Sequence, residues 1–142
     1  MSESTIHGSC LCGTVSFEIT PPFQRMVHCH CSRCRKGSGT GHATNLIGLP
    51  EQLKWLSGEE GISRYDLPDA RSFGKWFCKS CGSPVPRVTR NGKAVVIPAG
   101  ALDDAHDMKP TDHIFFGSRA PWACGEGGLP AHDEYPEAWL KK

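Results

Sequence analysis

The sequence has no long apolar run and no strong excess of charge of either sign. No stretch approaches the roughly 20 consecutive apolar residues that cross a bilayer, which argues against a membrane protein. Lys and Arg total 16 and Asp and Glu total 15, so the formal net charge is +1. This balance argues against nucleic acid as the main partner, because phosphate binding requires a basic excess or a basic patch.

A secretory signal is also missing from the beginning of the sequence. The residues from Met1 to His7 contain no basic region followed by an apolar stretch. We therefore expect a cytoplasmic protein, in a compartment where disulfides are rare. The 142 residues predict a single domain over 1–142, in which residues 124–142, rich in Gly and Pro, form an irregular surface tail.

Long amphipathic helices are absent as well, since no segment carries an apolar stripe over three helical turns. Val15, Phe17 and Ile19 instead alternate with polar residues, with the period of a half-buried strand. Further short strands are predicted at 26–29, 45–49, 53–56, 62–65, 73–77, 85–88, 94–98 and 113–116. Many short strands separated by turn signals predict an all-β domain of packed antiparallel sheets.

Two local features are predicted between these strands. Asn91-Gly92 separates the strands at 85–88 and 94–98 and favours a hairpin with a two-residue turn, because both residue types tolerate positive φ. Ser32, a residue type common at helix N-caps, predicts a short helix that Gly37 ends.

The abundant residue is cysteine, which occurs eight times. Seven of the eight fall in three groups: Cys10 and Cys12; Cys29, Cys31 and Cys34; and Cys78 and Cys81. In a secreted chain, eight cysteines would suggest four disulfides. Tight clusters without a secretory signal favour thiolate–metal bonding over that alternative.

The first and third groups share a local pattern, since Cys12 precedes Gly13 and Cys81 precedes Gly82. A glycine after a ligating cysteine permits positive φ and lets backbone N–H groups point at the sulfurs. Two such knuckles predict one tetrahedral zinc site of four thiolates, formed by Cys10, Cys12, Cys78 and Cys81. Such a closed site is structural, and the sheets would be built around it, with metal binding contributing to the folding free energy.

The middle group differs because three sulfurs can converge on their own. Cys29 and Cys31 point to the same side of an extended segment, and a helix that begins near Ser32 brings Cys34 round to meet them. Three protein ligands and one open position are typical of catalytic zinc. The alternatives are a second closed site completed by Cys124 or a histidine, and three free thiols prone to oxidation.

The three cysteine motifs and three further segments resemble a known family. The segments are Gly8–Gly13, His28–Lys36, Trp55–Glu59, Phe77–Gly82, Lys109–Phe115 and Ser118–Trp122. In this order they resemble the glutathione-dependent formaldehyde-activating enzymes, a family that includes centromere protein V. The resemblance implies a β-rich fold with two zinc ions per chain. It implies that Cys10, Cys12, Cys78 and Cys81 hold a structural ion, and that Cys29, Cys31 and Cys34 hold a catalytic one.

The activity implied by the resemblance is carbon–sulfur bond formation between formaldehyde and glutathione, classed as a lyase reaction. We expect a thiol such as glutathione to bind at the open zinc position and to add to a small aldehyde. His42, Arg33 and Lys36 are candidate proton donors, and residues 38–44 are predicted to line the pocket. The alternative is a non-enzymatic zinc module that carries a thiol adduct, binds a macromolecule or senses oxidation.

Overall fold

A computed structural model of the protein describes residues 4–123 and 127–140. These residues form ten short β-strands and one short α-helix. They are β1 (Ile6–Ser9), β2 (Ser16–Ile19), β3 (Arg25–Cys29), α1 (Ser32–Ser38), β4 (Ala43–Gly48), β5 (Leu53–Ser57), β6 (Ile62–Asp66), β7 (Gly74–Cys78), β8 (Arg87–Val88), β9 (Val95–Pro98) and β10 (Asp112–Ile114). The predicted all-β fold is confirmed.

The strands form three sheets, with the orders β1-β2-β5, β10-β3-β4-β9-β8 and β6-β7. All pairings are antiparallel except that of β10, which lies parallel to β3 at the edge of the five-stranded sheet. In this way the last strand of the chain is laid beside the strand that leads into the middle cysteine group. His113 lies opposite His28 in this pairing, and Ile114 lies opposite Cys29.

Two buried clusters stabilise the fold. The larger one lies where the three-stranded and five-stranded sheets face each other, and Phe17, Ile19, Leu46, Val95 and Ile97 are at most 1% exposed there. Burying each of these side chains contributes about 1.5–3 kcal/mol relative to leaving it in water. The alternation seen at 15–19 in the sequence follows from this packing, because its apolar side faces the core.

The smaller buried cluster contains two cysteines of the predicted closed site. Cys10 and Cys78 pack with Val15 and Val85, and Trp55 and Trp76 cover them from the sides. This part of the core therefore consists of few aliphatic side chains and depends on groups that can also bind a metal.

Several predicted boundaries were wrong. The strand at 85–88 is reduced to β8, and the strand at 113–116 ends at Ile114 because Phe115 adopts the left-handed conformation with φ 53°. A 3₁₀ turn at Phe116–Ser118 follows. The first strand, β1, was missed in the sequence, since only Ile6 and Gly8 of its four residues are buried.

The hairpin between β8 and β9 exists, but its turn is not the predicted two-residue turn. Val88 pairs with Val95, and the loop is closed by Thr89 N–H, which donates to Ala94 O at 2.9 Å. Asn91 and Gly92 lie inside a longer loop, in which Gly92 N–H donates to Thr89 O at 2.8 Å. The side chains of Thr89 and Asn91 satisfy the remaining polar groups of this loop.

The helix α1 also differs in its ends. The N-cap is Cys31, not Ser32, and its sulfur accepts a hydrogen bond from Cys34 N–H. The helix continues through Gly37 and ends at Gly39, whose φ of 73° is left-handed. A thiolate can serve at an N-cap in the same way as a carboxylate, because it accepts the free N–H groups of the first turn.

Beyond residue 126 the described part of the predicted tail runs through exposed positions, with one 3₁₀ turn at Glu137–Leu140. Cys124 lies outside the described residues. Within 4–123 and 127–140, no helix has the length and apolar character that a membrane crossing requires.

Candidate metal centres and the adjoining cavity

Two of the cysteine groups meet in one cluster, which we call the quartet: Cys10, Cys12, Cys78 and Cys81. Their four sulfurs all lie within 4.8 Å of one another. The Cys10 and Cys12 sulfurs are 3.7 Å apart, and those of Cys12 and Cys78 are 3.9 Å apart. Sulfurs bound to one zinc ion at about 2.3 Å in a tetrahedron are separated by about 3.8 Å. The donor set and its spacing therefore fit zinc.

The quartet is formed by two turns with the same construction. In the turn between β1 and β2, Gly13 has φ 82° and donates its N–H to Cys10 O at 3.0 Å. In the turn after β7, Gly82 has φ 79° and donates its N–H to Cys78 O at 2.7 Å. The positive φ expected of both glycines is thus observed, and it lets each chain fold back so that its two sulfurs face the same point.

Hydrogen bonds prepare some of these sulfurs to carry negative charge. Val15 N–H donates to the Cys10 sulfur at 3.3 Å, although burial raises the pKa of Cys10 overall. The Ser83 hydroxyl and backbone N–H bond to the Cys81 sulfur and lower the pKa of Cys81 to about 5. Hydrogen bonding from Thr14 lowers the pKa of Cys12 in the same way. Ligation requires thiolates, so these contacts favour the binding form of the cluster.

The third group forms a separate cluster, which we call the trio: Cys29, Cys31 and Cys34. Their sulfurs also lie within 4.8 Å of one another, and within residues 4–123 and 127–140 no fourth His, Cys, Asp or Glu completes the group. Cys29 is the last residue of β3, Cys31 caps α1, and Cys34 lies in the first turn of the helix. Three sulfurs therefore converge at the point where strand β3 ends and the chain enters helix α1. This donor set, too, fits zinc.

The surroundings of the trio favour the thiolate form of its cysteines less than those of the quartet do. Burial raises the pKa of Cys29 and, more strongly, that of Cys34. At Cys31 burial acts in the same direction, but hydrogen bonds outweigh it, first that from Cys34 N–H at 3.3 Å, and the pKa is lowered. None of the seven described cysteines is in a disulfide.

A cluster of histidines lies on the other face of β3. The rings of His28 and His42 are 4.0 Å apart between centroids, and His28 Nδ1 lies 2.8 Å from Thr44 Oγ1. His30 is fully buried, and its Nε2 lies 2.8 Å from His113 Nδ1. Burial, followed by the neighbouring imidazoles, lowers the pKa of His28 and His30. Both rings are therefore neutral near pH 7, and they pack β10 and the segment after α1 against the strand of the trio.

A cavity of about 360 Å³ opens beside the trio, and Cys34 is part of its wall. This volume is in the range of small-molecule sites. Residues 38–44 were predicted to line the pocket, and five of these seven residues do so: Ser38, Thr40, His42, Ala43 and Thr44. Of the two other candidate proton donors, neither Arg33 nor Lys36 lines the cavity.

The strand register explains the floor of the cavity. Cys29 lies opposite Ala43, Asn45 lies opposite Pro98, and Val96 lies opposite Arg87. Side chains that are two residues apart on a strand, or directly opposite one another on paired strands, point to the same face of the sheet. The paired residues from Cys29 to Arg87 therefore all lie on the face that carries the Cys29 sulfur. The floor of the cavity is thus the outer face of the five-stranded sheet, which is not used by the core.

The opposite wall is formed by β7 and the loop that precedes it. Phe73, Lys75 and Trp76 line the cavity from this side. The loop is held by Arg90, which donates to the carbonyl oxygens of Leu67, Ala70 and Phe73 at 3.0, 2.9 and 2.6 Å. Arg90 Nε also lies 3.5 Å from a carboxylate oxygen of Asp66. A residue of the β8–β9 loop therefore fixes a wall of the cavity from outside.

The comparisons with known proteins agree with this arrangement. Residues 5–118, which include both cysteine clusters, match the model of the family described as glutathione-dependent formaldehyde-activating enzyme. The chain belongs to this family. The resemblance seen in the sequence is thereby confirmed.

Two individual proteins extend the comparison. A protein of Halomonas elongata, named "Putative glutathione-dependent formaldehyde-activating enzyme", is 31% identical over 124 residues, which cover 82% of this chain and 78% of the relative. The crystal structure of a Rhodobacter sphaeroides protein is similar in fold, with a TM-score of 0.61 and 22% identity over 76% of this chain and 99% of that one. The second match supports the fold alone.

The structure therefore brings together all seven cysteines that were singled out, in the predicted partition of four and three. It also adds residues that were missed. Lys75 and Arg87 enter the cavity from β7 and β8, far from the cysteine motifs in sequence. No local signal marks them, because only the pairing of β8 with β9 and the position of β7 bring them to the trio.

Proposed function

We propose that this member of the family is a zinc-dependent enzyme of the carbon–sulfur lyase type. Its substrates are a thiol, such as glutathione, and a small aldehyde, such as formaldehyde. The observation that carries the proposal is that one ligand of the incomplete cluster, Cys34, also forms part of the cavity wall. A substrate in the cavity would thus lie beside Cys34, and the trio would supply three of the four ligands that a zinc ion takes.

The two clusters take different roles in this proposal. The quartet holds a structural zinc ion and joins the β1–β2 turn to the turn after β7. The trio holds a second zinc ion, which supplies Lewis acidity and favours the thiolate form of a bound thiol near neutral pH. The chain itself contributes the cavity, which orients the thiol and shields the reacting atoms from water.

The reaction is an addition, and its atoms balance without an oxidant or reductant. The sulfur forms a bond to the carbonyl carbon, the carbonyl π bond breaks, and the thiol proton ends on the new hydroxyl oxygen. His42 is the proposed donor of this proton, since it lines the cavity and its ring lies against the half-buried His28 ring. Arg33 and Lys36 are less suitable, because both lie outside the cavity lining.

The proposal is tested by replacing zinc with cobalt and titrating glutathione into the protein. Coordination of a thiol changes the ligand field and the sulfur-to-cobalt charge-transfer bands of the trio site, whereas the closed quartet serves as an internal reference. The formation of the adduct is followed in parallel by NMR with ¹³C-formaldehyde. We expect a saturable spectral change and an accelerated formation of the hemithioacetal.

A matched pair of variants makes this test specific. Cys34→Ser should abolish both signals, while His42→Gln should leave the spectral change intact and slow adduct formation. An unchanged cobalt spectrum at millimolar glutathione would contradict binding of the thiol at the trio. A spectral change without any acceleration would leave a thiol-binding protein and contradict the enzymatic activity.

A further inference from the structure

The cavity beside the trio has a distinctive charge pattern. Its lining includes two cationic side chains, Lys75 and Arg87, and among the residues that the structure describes no Asp or Glu lines it. The rest of this lining is mostly apolar or neutral, with Phe73 and Trp76 on one side and Asn45 on the floor. Two cations in a half-enclosed, mainly apolar space without an anion form a site that lacks its counter-charge.

Arg87 retains most of its hydrogen-bonding capacity. One N–H of its guanidinium donates to Ser72 O at 3.3 Å, and the group lies 5.6 Å from the centre of the Phe73 ring. A guanidinium has five N–H donors in a planar fork, which matches the two oxygens of a carboxylate. In the described residues no carboxylate lies within 4.0 Å of Arg87. Its fork is therefore free for a ligand.

Lys75 occupies the opposite wall. Its side chain passes beneath α1, since a Cβ added at Gly37 would lie 3.8 Å from Lys75 Cδ. The side chain is half-buried, and it too has no carboxylate partner among residues 4–123 and 127–140. Burial lowers the pKa of Lys75, as expected of an ammonium group that has left water without gaining an anion.

Arg87 and the trio border the same space. Both Arg87 and Cys34 line the cavity of about 360 Å³. A ligand of small-molecule size whose sulfur lies at the trio therefore extends into the space that Arg87 lines. Arg87 and Lys75 thus line the cavity that such a ligand would occupy, from different sides.

We propose that Lys75 and Arg87 form the recognition site for a carboxylate of the thiol substrate, so that the cavity selects acidic thiols over neutral ones. This inference rests on the proposed function. The two side chains do not touch the reacting atoms and act by positioning the sulfur at the trio. The same geometry disfavours cationic thiols such as cysteamine, because no acidic side chain of the described lining receives an ammonium group.

The test measures binding of a ligand that has carboxylates but no thiol. The zinc-loaded full chain is titrated with S-methylglutathione by isothermal titration calorimetry, and its dimethyl ester, which lacks both carboxylates and keeps the ammonium group, serves as the counterpart. We expect Arg87→Gln and Lys75→Gln to weaken binding of the acid by about 10- to 100-fold each, the usual effect of removing a charge-assisted hydrogen bond. The ester should bind more weakly than the acid to the wild type, and neither variant should bind it more weakly than the wild type does.

Control variants separate recognition from long-range charge effects and from folding. Lys93→Gln removes one positive charge from the exposed β8–β9 loop, outside the cavity, and should change the affinity less than twofold. Arg87→Lys keeps the charge without the fork and should retain part of the affinity. Zinc content and circular dichroism show whether each variant is folded, and Lys75→Gln carries the same prediction if Arg87→Gln does not fold.

Three results would overturn the inference. They are absence of S-methylglutathione binding by the wild type, an equal loss for acid and ester in the variants, and loss of zinc from the trio in Arg87→Gln with ligand affinity retained. The last result would assign Arg87 to balancing the charge of the thiolates. Failure of the proposed function appears differently, as a cobalt spectrum that does not respond to glutathione although S-methylglutathione binds.

Discussion

The quartet and the trio are made from the same side chain but are built into the fold in different ways. In the quartet, Cys10 and Cys78 are buried in a small core with Val15 and Val85, and the sulfurs come from two turns that are 66 or more residues apart. In the trio, all three sulfurs come from six consecutive residues, and Cys34 borders a cavity. One cluster connects distant parts of the chain, whereas the other presents a local set of ligands to a pocket.

The difference teaches that sequence separation between ligands, and not ligand type, decides whether a metal contributes to folding. Closing a long loop removes entropy from the unfolded chain, so a metal that joins distant turns stabilises the fold strongly. A metal held by one strand and the following helix closes almost no loop. Its removal should therefore affect the site much more than the fold.

We expect the largest effect from a variant that lacks one ligand of the quartet. Cys81→Ser places a similar side chain at a half-buried position, so the change removes a ligand without removing volume. Structural zinc contributes about 10–16 kcal/mol in small zinc domains, which equals or exceeds the whole stability of a typical domain. We expect no cooperative thermal unfolding by circular dichroism, together with loss of one zinc ion by atomic absorption. A cooperative transition near that of the wild type would remove the distinction between the two clusters.

The matching change in the trio is Cys34→Ser. Because this cluster closes no long loop, we expect a folded protein whose stability changes by less than about 2 kcal/mol. It should hold one zinc ion where the wild type holds two, and it should form no adduct above the uncatalysed rate. Thermal unfolding, metal counting and NMR on the same preparation measure all three. Loss of the fold in this variant would mean that the trio, too, is structural.

Stepwise removal of metal compares the clusters within one molecule. With EDTA in excess, the ion of the trio should leave first, because it has three protein ligands and borders a cavity that a chelator can enter. The ion of the quartet should leave later and together with the loss of the β-sheet signal. Release of zinc is followed with a colorimetric indicator and folding by circular dichroism. A single phase in both signals would show that the two ions depend on one another.

The smallest expected effect comes from two matched glycines. Gly82, in a knuckle of the quartet, has φ 79°, and Gly39, at the end of α1, has φ 73°, and an added Cβ meets no atom within 4 Å at either. Alanine therefore introduces only backbone strain, about 1–2 kcal/mol in each case. Gly82→Ala should also disfavour the turn that brings its two cysteines together, and zinc retention should therefore weaken. Gly39→Ala should lower the free energy of unfolding without an effect on zinc retention. Denaturant unfolding with and without a chelator distinguishes the two, and equal zinc retention would contradict the role given to Gly82.

Much of this arrangement can be predicted from sequence because its signals are local. The positions of Gly13 and Gly82 predict two knuckles, and the alternation around Phe17 predicts a core strand. The partition of the cysteines follows from their spacing. The ends of α1 could not be predicted as well, because its N-cap is the sulfur of Cys31, a residue type that is not among the common caps.

The cavity could not be predicted, because its walls depend on contacts between distant strands. Arg87 reaches the cavity beside the trio only because β8 pairs with β9, which in turn pairs with β4. Lys75 reads as an ordinary polar residue between Gly74 and Trp76, and nothing in that alternation tells which side faces a ligand. The register of the sheets, which the apolar pattern alone does not determine, supplies this information.

The hydrogen bonds from Arg90 to the preceding loop have a consequence for how the shape of the cavity could change. Arg90 is exposed and does not line the cavity, yet the carbonyl oxygens that it binds set the path of the chain that carries Phe73 and then Lys75. A substitution at Arg90 would shift a whole wall while leaving every lining residue unchanged. Ligands of other shapes could thus be accommodated by one change outside the cavity, with both cysteine clusters and the sheet beneath them kept intact.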